Sequence, residues 1–178
     1  FFTLYKRKLF NWRMLDISAL ALALGYAVGR IGCFLVGDDY GRPTDLPWGV
    51  AFKVGLPSTT AGELRRAFGI DIPASIPDDQ LLRVHPTQLY ETLACLAIWG
   101  FGLWLLRRRT EDDRAPGLVA LVIFGLLAVE RFLVEILRAK DDRFFGFWTV
   151  AQVISVVLLV AVLVIAWMRR RRPQLRSA

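Results

Sequence analysis

The sequence predicts an all-α membrane helix bundle, and three observations carry that expectation. Of the 178 residues, 55% are hydrophobic, and the mean hydropathy is +0.43. A soluble domain of this size is less apolar. Four apolar stretches approach the roughly 20 residues that a helix needs to cross a bilayer. Basic residues cluster at alternate ends of those stretches.

The predicted spans cover residues 14–36, 86–106, 117–137 and 148–168, with one long loop at 37–85 and short connections elsewhere. Lys6, Arg7, Lys8 and Arg13 precede the first span. Arg107, Arg108, Arg109 and Arg114 separate the second from the third, and Arg169, Arg170, Arg171, Arg172 and Arg176 follow the fourth. These three segments hold 13 of the 23 Lys and Arg residues. The positive-inside rule therefore places both ends of the chain in the cytoplasm and residues 37–85 outside. The net charge of +7 reads as topology anchors touching anionic membrane lipids, and no nucleic-acid-binding signature accompanies it. The chain begins with Phe1, and Phe1-Phe2-Thr3-Leu4-Tyr5 reads as the tail of a preceding span. The expectation is one membrane domain over residues 1–178, the C-terminal part of a longer protein.

In the first span, Gly25-x-x-x-Gly29 forms a small-residue face suited to close helix packing. Asp16 reads as a helix-start acid rather than a ligand. Cys33 and Cys95 imply no disulfide framework, and Cys95 reads as a small packing residue. In the loop, Thr60-Ala61-Gly62-Glu63 fits a capping box for a short helix through Phe68, with Gly69 as its stop. Residues 71–80 are rich in Pro and Asp and read as an irregular excursion. Leu46, Trp48, Val50 and Phe52 alternate with other residues, which suits a short strand or an extended interfacial edge. Pro86 suits the first turn of the second span, which puts His85 at the outer membrane surface. Gln88 and Glu91 share one face of that helix.

The informative residues are charges inside the apolar runs. Arg30 lies near the end of the first span, within Gly29-Arg30-Ile31-Gly32. The third span carries Glu130, Arg131 and Glu135. Ionisable groups at membrane depth are costly and mark functional sites by default. Arg131 and Glu135, four residues apart, can pair on one helix face, which alone would be a structural ion pair. At about 1.5 Å per residue, Arg30 lies about 24 Å and Arg131 about 21 Å from the cytoplasmic starts of their helices. The two guanidiniums thus fall at one level in the outer half of the bilayer. Two cations there require an anion between them, and a lipid phosphate matches the forked donors of arginine. Thr149, Gln152 and Ser155 make a polar stripe on the fourth span, which either glues helices together or lines a polar cavity.

These residues resemble the signature blocks of the bacterial prolipoprotein diacylglyceryl transferase family. The first block is Gly29-Arg30-Ile31-Gly32-x-Phe34, continued by Gly37, Gly41-Arg42-Pro43-Thr44-Asp45 and Pro47-Trp48-Gly49. The second is His85-Pro86-Thr87-Gln88-Leu89-Tyr90-Glu91. The third is Arg131-Phe132-x-x-Glu135-x-x-Arg138 with Asp141, and the fourth is Thr149-x-x-Gln152-x-x-Ser155. The resemblance implies transfer of a diacylglyceryl group from phosphatidylglycerol to the lipobox cysteine of a prolipoprotein signal peptide, in the bacterial inner membrane. It implies no metal and no cofactor. Catalysis would fall to Arg30, Arg131, His85 and Glu135. Asp38, Gly41, Arg42, Gln88, Tyr90, Glu91 and Gln152 would bind substrate. His85 is open between direct chemistry and a contact at the helix start. The chain departs from the family pattern at Cys33 and Val36, where asparagines are usual, and at Asp38, where glutamate is usual. It also departs at Leu127, where tyrosine is usual, and at Glu130, where glycine is usual. A non-catalytic homologue that binds anionic lipid or lipoprotein, and a piece of a transporter or channel, are the competing readings.

Overall fold

The computed structural model describes residues 11–109, 116–139, 143–144 and 148–171. The expected tail at Phe1–Tyr5, and Asp141 of the third block, lie outside the described residues. The described residues form five helices: α1 (Trp12–Val36), α2 (Ala61–Phe68), α3 (Thr87–Arg109), α4 (Leu118–Leu137) and α5 (Val150–Arg171). A two-residue antiparallel pair, β1 (Arg143–Phe144) with β2 (Trp148–Thr149), occupies the connection from α4 to α5.

The all-α expectation holds, with helix ends within a few residues of those read from the sequence. Among the described residues, three helices are long and apolar enough to cross a membrane: Trp12–Val36, the Thr87–Arg108 stretch of α3, and Val150–Arg171. The expectation of four such spans is therefore met for three. The 20-residue α4 is about 30 Å long, but Glu130, Arg131 and Glu135 interrupt its apolar face.

α1 packs on α3 and α4, α3 on α4, and α5 mainly on α4. The α1 seam is built from Ala19, Ala23 and Ala27, all fully buried and spaced by four. The Gly25-x-x-x-Gly29 face was expected to pack, but both glycines are exposed and a Cβ on either would meet nothing within 4 Å. The close approach lies instead at Gly102 of α3, where a Cβ would come within 2.7 Å of Ile123 and 3.1 Å of Leu20. These residues lie in or beside a core of Ala19, Leu20, Ala23, Val119, Ala120 and Ile123.

Asp16 does not start its own helix. Asn11 does so, accepting from the Met14 N–H at 2.8 Å. Asp16 is buried and caps α4, accepting from the N–H groups of Gly117 and Ala120, each at 2.7 Å. It thereby satisfies donors that a helix start leaves without partners.

The 37–85 segment has a core of its own. Tyr40, Ala61, Leu64, Ile72 and Val84 are buried there together with Ala139 from beyond α4, and Phe52 stacks on Tyr40 with ring centroids 5.7 Å apart. Thr60 caps α2 through the Glu63 N–H, and Gly69 ends the helix in the left-handed conformation, both as expected. Glu63 pairs with Arg66 at 2.8 Å. The alternating stretch around Leu46–Phe52 yields one isolated bridge, Val50 with Val84, and no strand. Pro47 lacks an N–H, and a turn closes from the Gly49 N–H to the Leu46 carbonyl, so the ladder cannot extend.

Candidate functional site

The site is built where the outer ends of α1, α3 and α4 meet the first residues of the loop. Arg30 is 7% exposed near the end of α1. Its Nε donates to Glu91 Oε2, and its Nη1 donates to Asp39 Oδ2 at 3.0 Å and to Cys33 Sγ at 3.3 Å. Arg131 reaches the same glutamate from α4, with Nη1 donating to Glu91 Oε1 at 3.3 Å. Its Nη2 lies 2.7 Å from Glu135 Oε2 as a charge pair without aligned hydrogen-bond geometry. Arg138, the C-cap of α4, donates from Nη2 to Asp39 Oδ1 and lies 3.8 Å from Glu135.

Glu91 is therefore the hub. Its side chain is fully buried, and each carboxylate oxygen holds one arginine. A buried carboxylate between two guanidiniums removes the repulsion that two cations at one level would suffer. The anion between the arginines is thus a protein side chain, where the sequence suggested a lipid phosphate. Arg30 and Arg131 lie at one level of the bundle, since they share a partner.

A second anion sits at the rim. Asp39 is the one described non-glycine residue with positive φ (57°), a conformation that Asp tolerates better than most residues. Its side chain is 41% exposed, whereas those of Arg30 and Arg138 are 9% and 6% exposed. Burial pushes the Asp39 carboxyl up, but the Arg138 and Arg30 guanidiniums outweigh this and hold it below the ordinary aspartate value. Burial and the nearby Glu63 raise the Tyr40 phenol well above its ordinary range. That phenol stays protonated and donates to the Pro57 carbonyl at 2.8 Å.

The family model described as prolipoprotein diacylglyceryl transferase matches residues 1–168. The chain belongs to the prolipoprotein diacylglyceryl transferase family. Three proteins named phosphatidylglycerol–prolipoprotein diacylglyceryl transferase illustrate the likeness. That of Solidesulfovibrio magneticus is 33% identical over 90% of this chain and 52% of its own length. That of Stenotrophomonas maltophilia is 33% identical over 96% of this chain and 57% of its own. That of Roseobacter denitrificans is 35% identical over 72% of this chain and 39% of its own. The chain spans about half the length of most of the curated relatives it matches.

Within this transferase family fold, the structure brings together Arg30, Arg131, Glu135 and Glu91 from the expected set. Gln88 and Asp38 stand close by. Gln88 is fully buried and its Nε2 donates to the Asp38 carbonyl. Asp38 Oδ1 and Gln88 Oε1 are buried without hydrogen-bond partners. Gly41 is pinned beneath the site, donating from N to the His85 carbonyl at 2.8 Å. A Cβ there would lie 2.7 Å from the Leu137 carbonyl and from His85 Cβ, so only glycine fits.

Other expected residues stand apart from the arginines. The His85 Nδ1 lies 3.3 Å from the Tyr90 hydroxyl, which also accepts from Trp48 Nε1 at 2.8 Å. His85 thus touches Tyr90 at the start of α3. The Arg42 side chain is exposed, and its backbone pairs with Leu137 and His85. Gln152 and Thr149 cap α5 reciprocally, with Gln152 Oε1 accepting from Thr149 N at 3.1 Å and Thr149 Oγ1 from Gln152 N at 3.2 Å. Ser155 donates to the Ala151 carbonyl at 2.8 Å. The polar stripe on α5 is chiefly helix-start chemistry.

Beside the arginines, a cavity of about 440 Å³ opens between α1, α4 and α5. Its walls are mainly apolar, with Leu22, Phe124, Leu127 and Leu158 among them, and Tyr26, Glu130 and Arg131 mark its polar end. Glu130 is 8% exposed, and neither carboxylate oxygen has a hydrogen-bond partner. Cys33, Asp38 and Asp39 place a thiol and two carboxylates within 4.8 Å of one another. Arg30 and Arg138 already supply the counter-charge to Asp39, so this trio does not require a cation.

Two site residues escaped the sequence reading. Asp39, not Asp38, makes the ion pairs, and Arg138 entered only as part of a block. The adjacent acids at 38–39 gave no basis for choosing between them, because the choice depends on the left-handed turn at Asp39.

Proposed function

We propose that this chain forms the arginine-bearing half of an enzyme that transfers a diacylglyceryl group from phosphatidylglycerol to the lipobox cysteine of prolipoproteins. One observation carries the reading. Arg30 and Arg131, from different helices, converge on one buried carboxylate at the end of the bundle that carries the 37–85 segment, beside an apolar cavity. The family membership supports it.

In the proposed reaction, the thiol sulfur forms a bond to the diacylglyceryl carbon, and the bond from that carbon to the phosphate oxygen breaks. The electron pair leaves on the phosphate oxygen of glycerol 1-phosphate, and the thiol proton passes to that departing phosphate or to solvent. A thiol must deprotonate to attack, so a positive field at the reaction centre helps. The arginines would stabilise the charge that develops on the departing phosphate. Glu91 and Glu135 would hold them in place, and the cavity would accept an acyl chain.

The same reading makes α4 the fourth membrane-crossing helix. Its ionisable residues face the bundle or the cavity rather than lipid, as intramembrane charges do. It places both ends of the chain in the cytoplasm and the 37–85 segment outside, in a bacterial inner membrane.

The test uses the full-length protein, phosphatidylglycerol and a lipobox peptide. Arg30→Ala and Arg131→Ala are each expected to abolish lipidation. Full activity in both variants removes the catalytic role of the two arginines, whereas no lipidation by the parent protein removes the transferase reading and leaves a lipid-binding homologue.

A further inference from the structure

The arginines of this site are held by two kinds of anion, and only one kind can leave. Arg131 faces Glu91 and Glu135, both with fully buried side chains. Neither carboxylate can withdraw without stranding a buried charge, which is strongly unfavourable. Asp39 is different. Its side chain is 41% exposed, so its carboxylate can turn into water and remain solvated. Its backbone need not move. The Asp39 carbonyl accepts from Thr87 Oγ1 at 2.8 Å, the Asp38 carbonyl from Gln88 Nε2, and the Tyr40 carbonyl from the Ala139 N–H at 3.2 Å. A side-chain rotation alone would open the seat between Arg30 Nη1 and Arg138 Nη2.

That seat has the chemistry of a phosphate site. Two nearly buried guanidiniums from α1 and the end of α4 present donors to one anion. Arginine forks suit phosphate oxygens as well as carboxylate. A phosphodiester carries one negative charge, so exchanging it for the Asp39 carboxylate keeps the charge of the seat unchanged.

We infer that Asp39 is an internal stand-in for substrate: its carboxylate occupies a phosphate seat formed by Arg30 and Arg138, and the lipid phosphate takes that seat by exchange. The seat thus makes Arg138 a binding residue, with Arg131 acting through Glu91. The choice of a lipid phosphodiester rests on the transferase reading; the seat itself does not. Occupancy by Asp39 lowers apparent affinity by the fraction of time the seat is free. If that fraction is about one-tenth, removing the charge tightens binding about tenfold.

The experiment measures binding to the full-length protein in neutral detergent micelles, without peptide. The probes are phosphatidylglycerol, diacylglycerol as a phosphate-free lipid, and glycerol 1-phosphate as a soluble phosphate. Asp39→Asn is expected to tighten phosphatidylglycerol about tenfold, to lower KM in the transfer assay without lowering kcat, and to leave diacylglycerol unchanged. Asp39→Glu keeps the charge and is expected to show no gain. Arg138→Gln is expected to weaken phosphatidylglycerol about tenfold or more, and it does not depend on Asp39→Asn folding. Tightening of glycerol 1-phosphate alone keeps the seat and assigns it to a soluble phosphate ester. Unchanged or weaker binding in Asp39→Asn overturns the exchange, as does unchanged binding in Arg138→Gln. Tighter binding with no transfer in any variant keeps the seat and removes the transferase reading. Transfer at the parent KM in Asp39→Asn removes the seat alone.

Discussion

Glu91 determines whether two arginines can share one level of the bundle. Replacing it with Ala would remove the carboxylate that Arg30 and Arg131 share, leaving Asp39 for the one and Glu135 for the other, in a setting where breaking a buried ion pair costs about 3–5 kcal/mol. Glu91→Ala is therefore expected to lower the unfolding temperature of the detergent-solubilised full-length protein sharply, and Glu91→Gln less so. Equal stability of parent and Glu91→Ala would mean that the arginines find other anions. Asp39 gives a pH signature. Its folded-state carboxyl is held below the ordinary value of 3.8, so its stabilisation is present above that value and disappears as pH falls through the lower folded value. The stability difference between parent and Asp39→Asn is expected to stay constant from pH 8 to pH 5 and to shrink below about pH 4. A difference that already collapses near pH 6 would place the carboxyl elsewhere. At this scale, Arg30, Arg131 and Glu135 were legible because a charge inside an apolar run demands an explanation, whereas Glu91 entered only through its place beside Gln88 and the family resemblance. Asp39 was not legible, since its role comes from a positive φ that the sequence does not display.

The helices were legible through length and apolarity, and their packing faces were not. The glycine spacing in α1 pointed to one face, whereas the buried face follows the alanines at 19, 23 and 27. Small residues mark where helices can approach, but a single sequence does not say which small stripe meets a neighbour. Gly102 and Gly100 make the distinction testable. A Cβ at Gly102 would press on Ile123 and Leu20, while one at Gly100 meets nothing within 4 Å. Gly102→Val is expected to destabilise by about 1–3 kcal/mol, the usual range for overpacking, and Gly100→Val to lie near the parent in the same thermal melt. Asp16 makes a second test between elements. It joins α1 to the start of α4 through two N–H groups, so Asp16→Ala is expected to cost about 0.5–2 kcal/mol, as loss of an N-cap does. Faster amide exchange at Gly117 and Ala120, with the α1 start unchanged, would locate the loss at α4.

Across the whole molecule, the two ends of the bundle are chemically different, and the proposed orientation rests on that difference. One end carries the arginine–carboxylate site and the folded 37–85 segment. At the other end the Arg169 guanidinium lies 4.1 Å from the Trp12 ring centroid and donates from Nη2 to the Pro116 carbonyl, tying together the starts of α1 and α4 and the end of α5. The exposed Trp12 ring and the basic residues Arg107, Arg108 and Arg169–Arg171 suit the headgroup zone of a cytoplasmic face. The opposite end offers Asp38, Asp39, Asp45 and Asp78, and its Arg30, Arg65, Arg66, Arg131 and Arg138 are paired with carboxylates. A membrane-impermeant maleimide can read the orientation. In intact spheroplasts expressing the full-length protein, Ser75→Cys, on an exposed turn of the 37–85 segment, is expected to label at once. Arg171→Cys, exposed at the end of α5, is expected to label only after permeabilisation. Labelling of Arg171→Cys in intact cells together with protection of Ser75→Cys would invert the molecule. The arginine site would then face the cytoplasm, where it could not meet a lipobox cysteine emerging on the outer side.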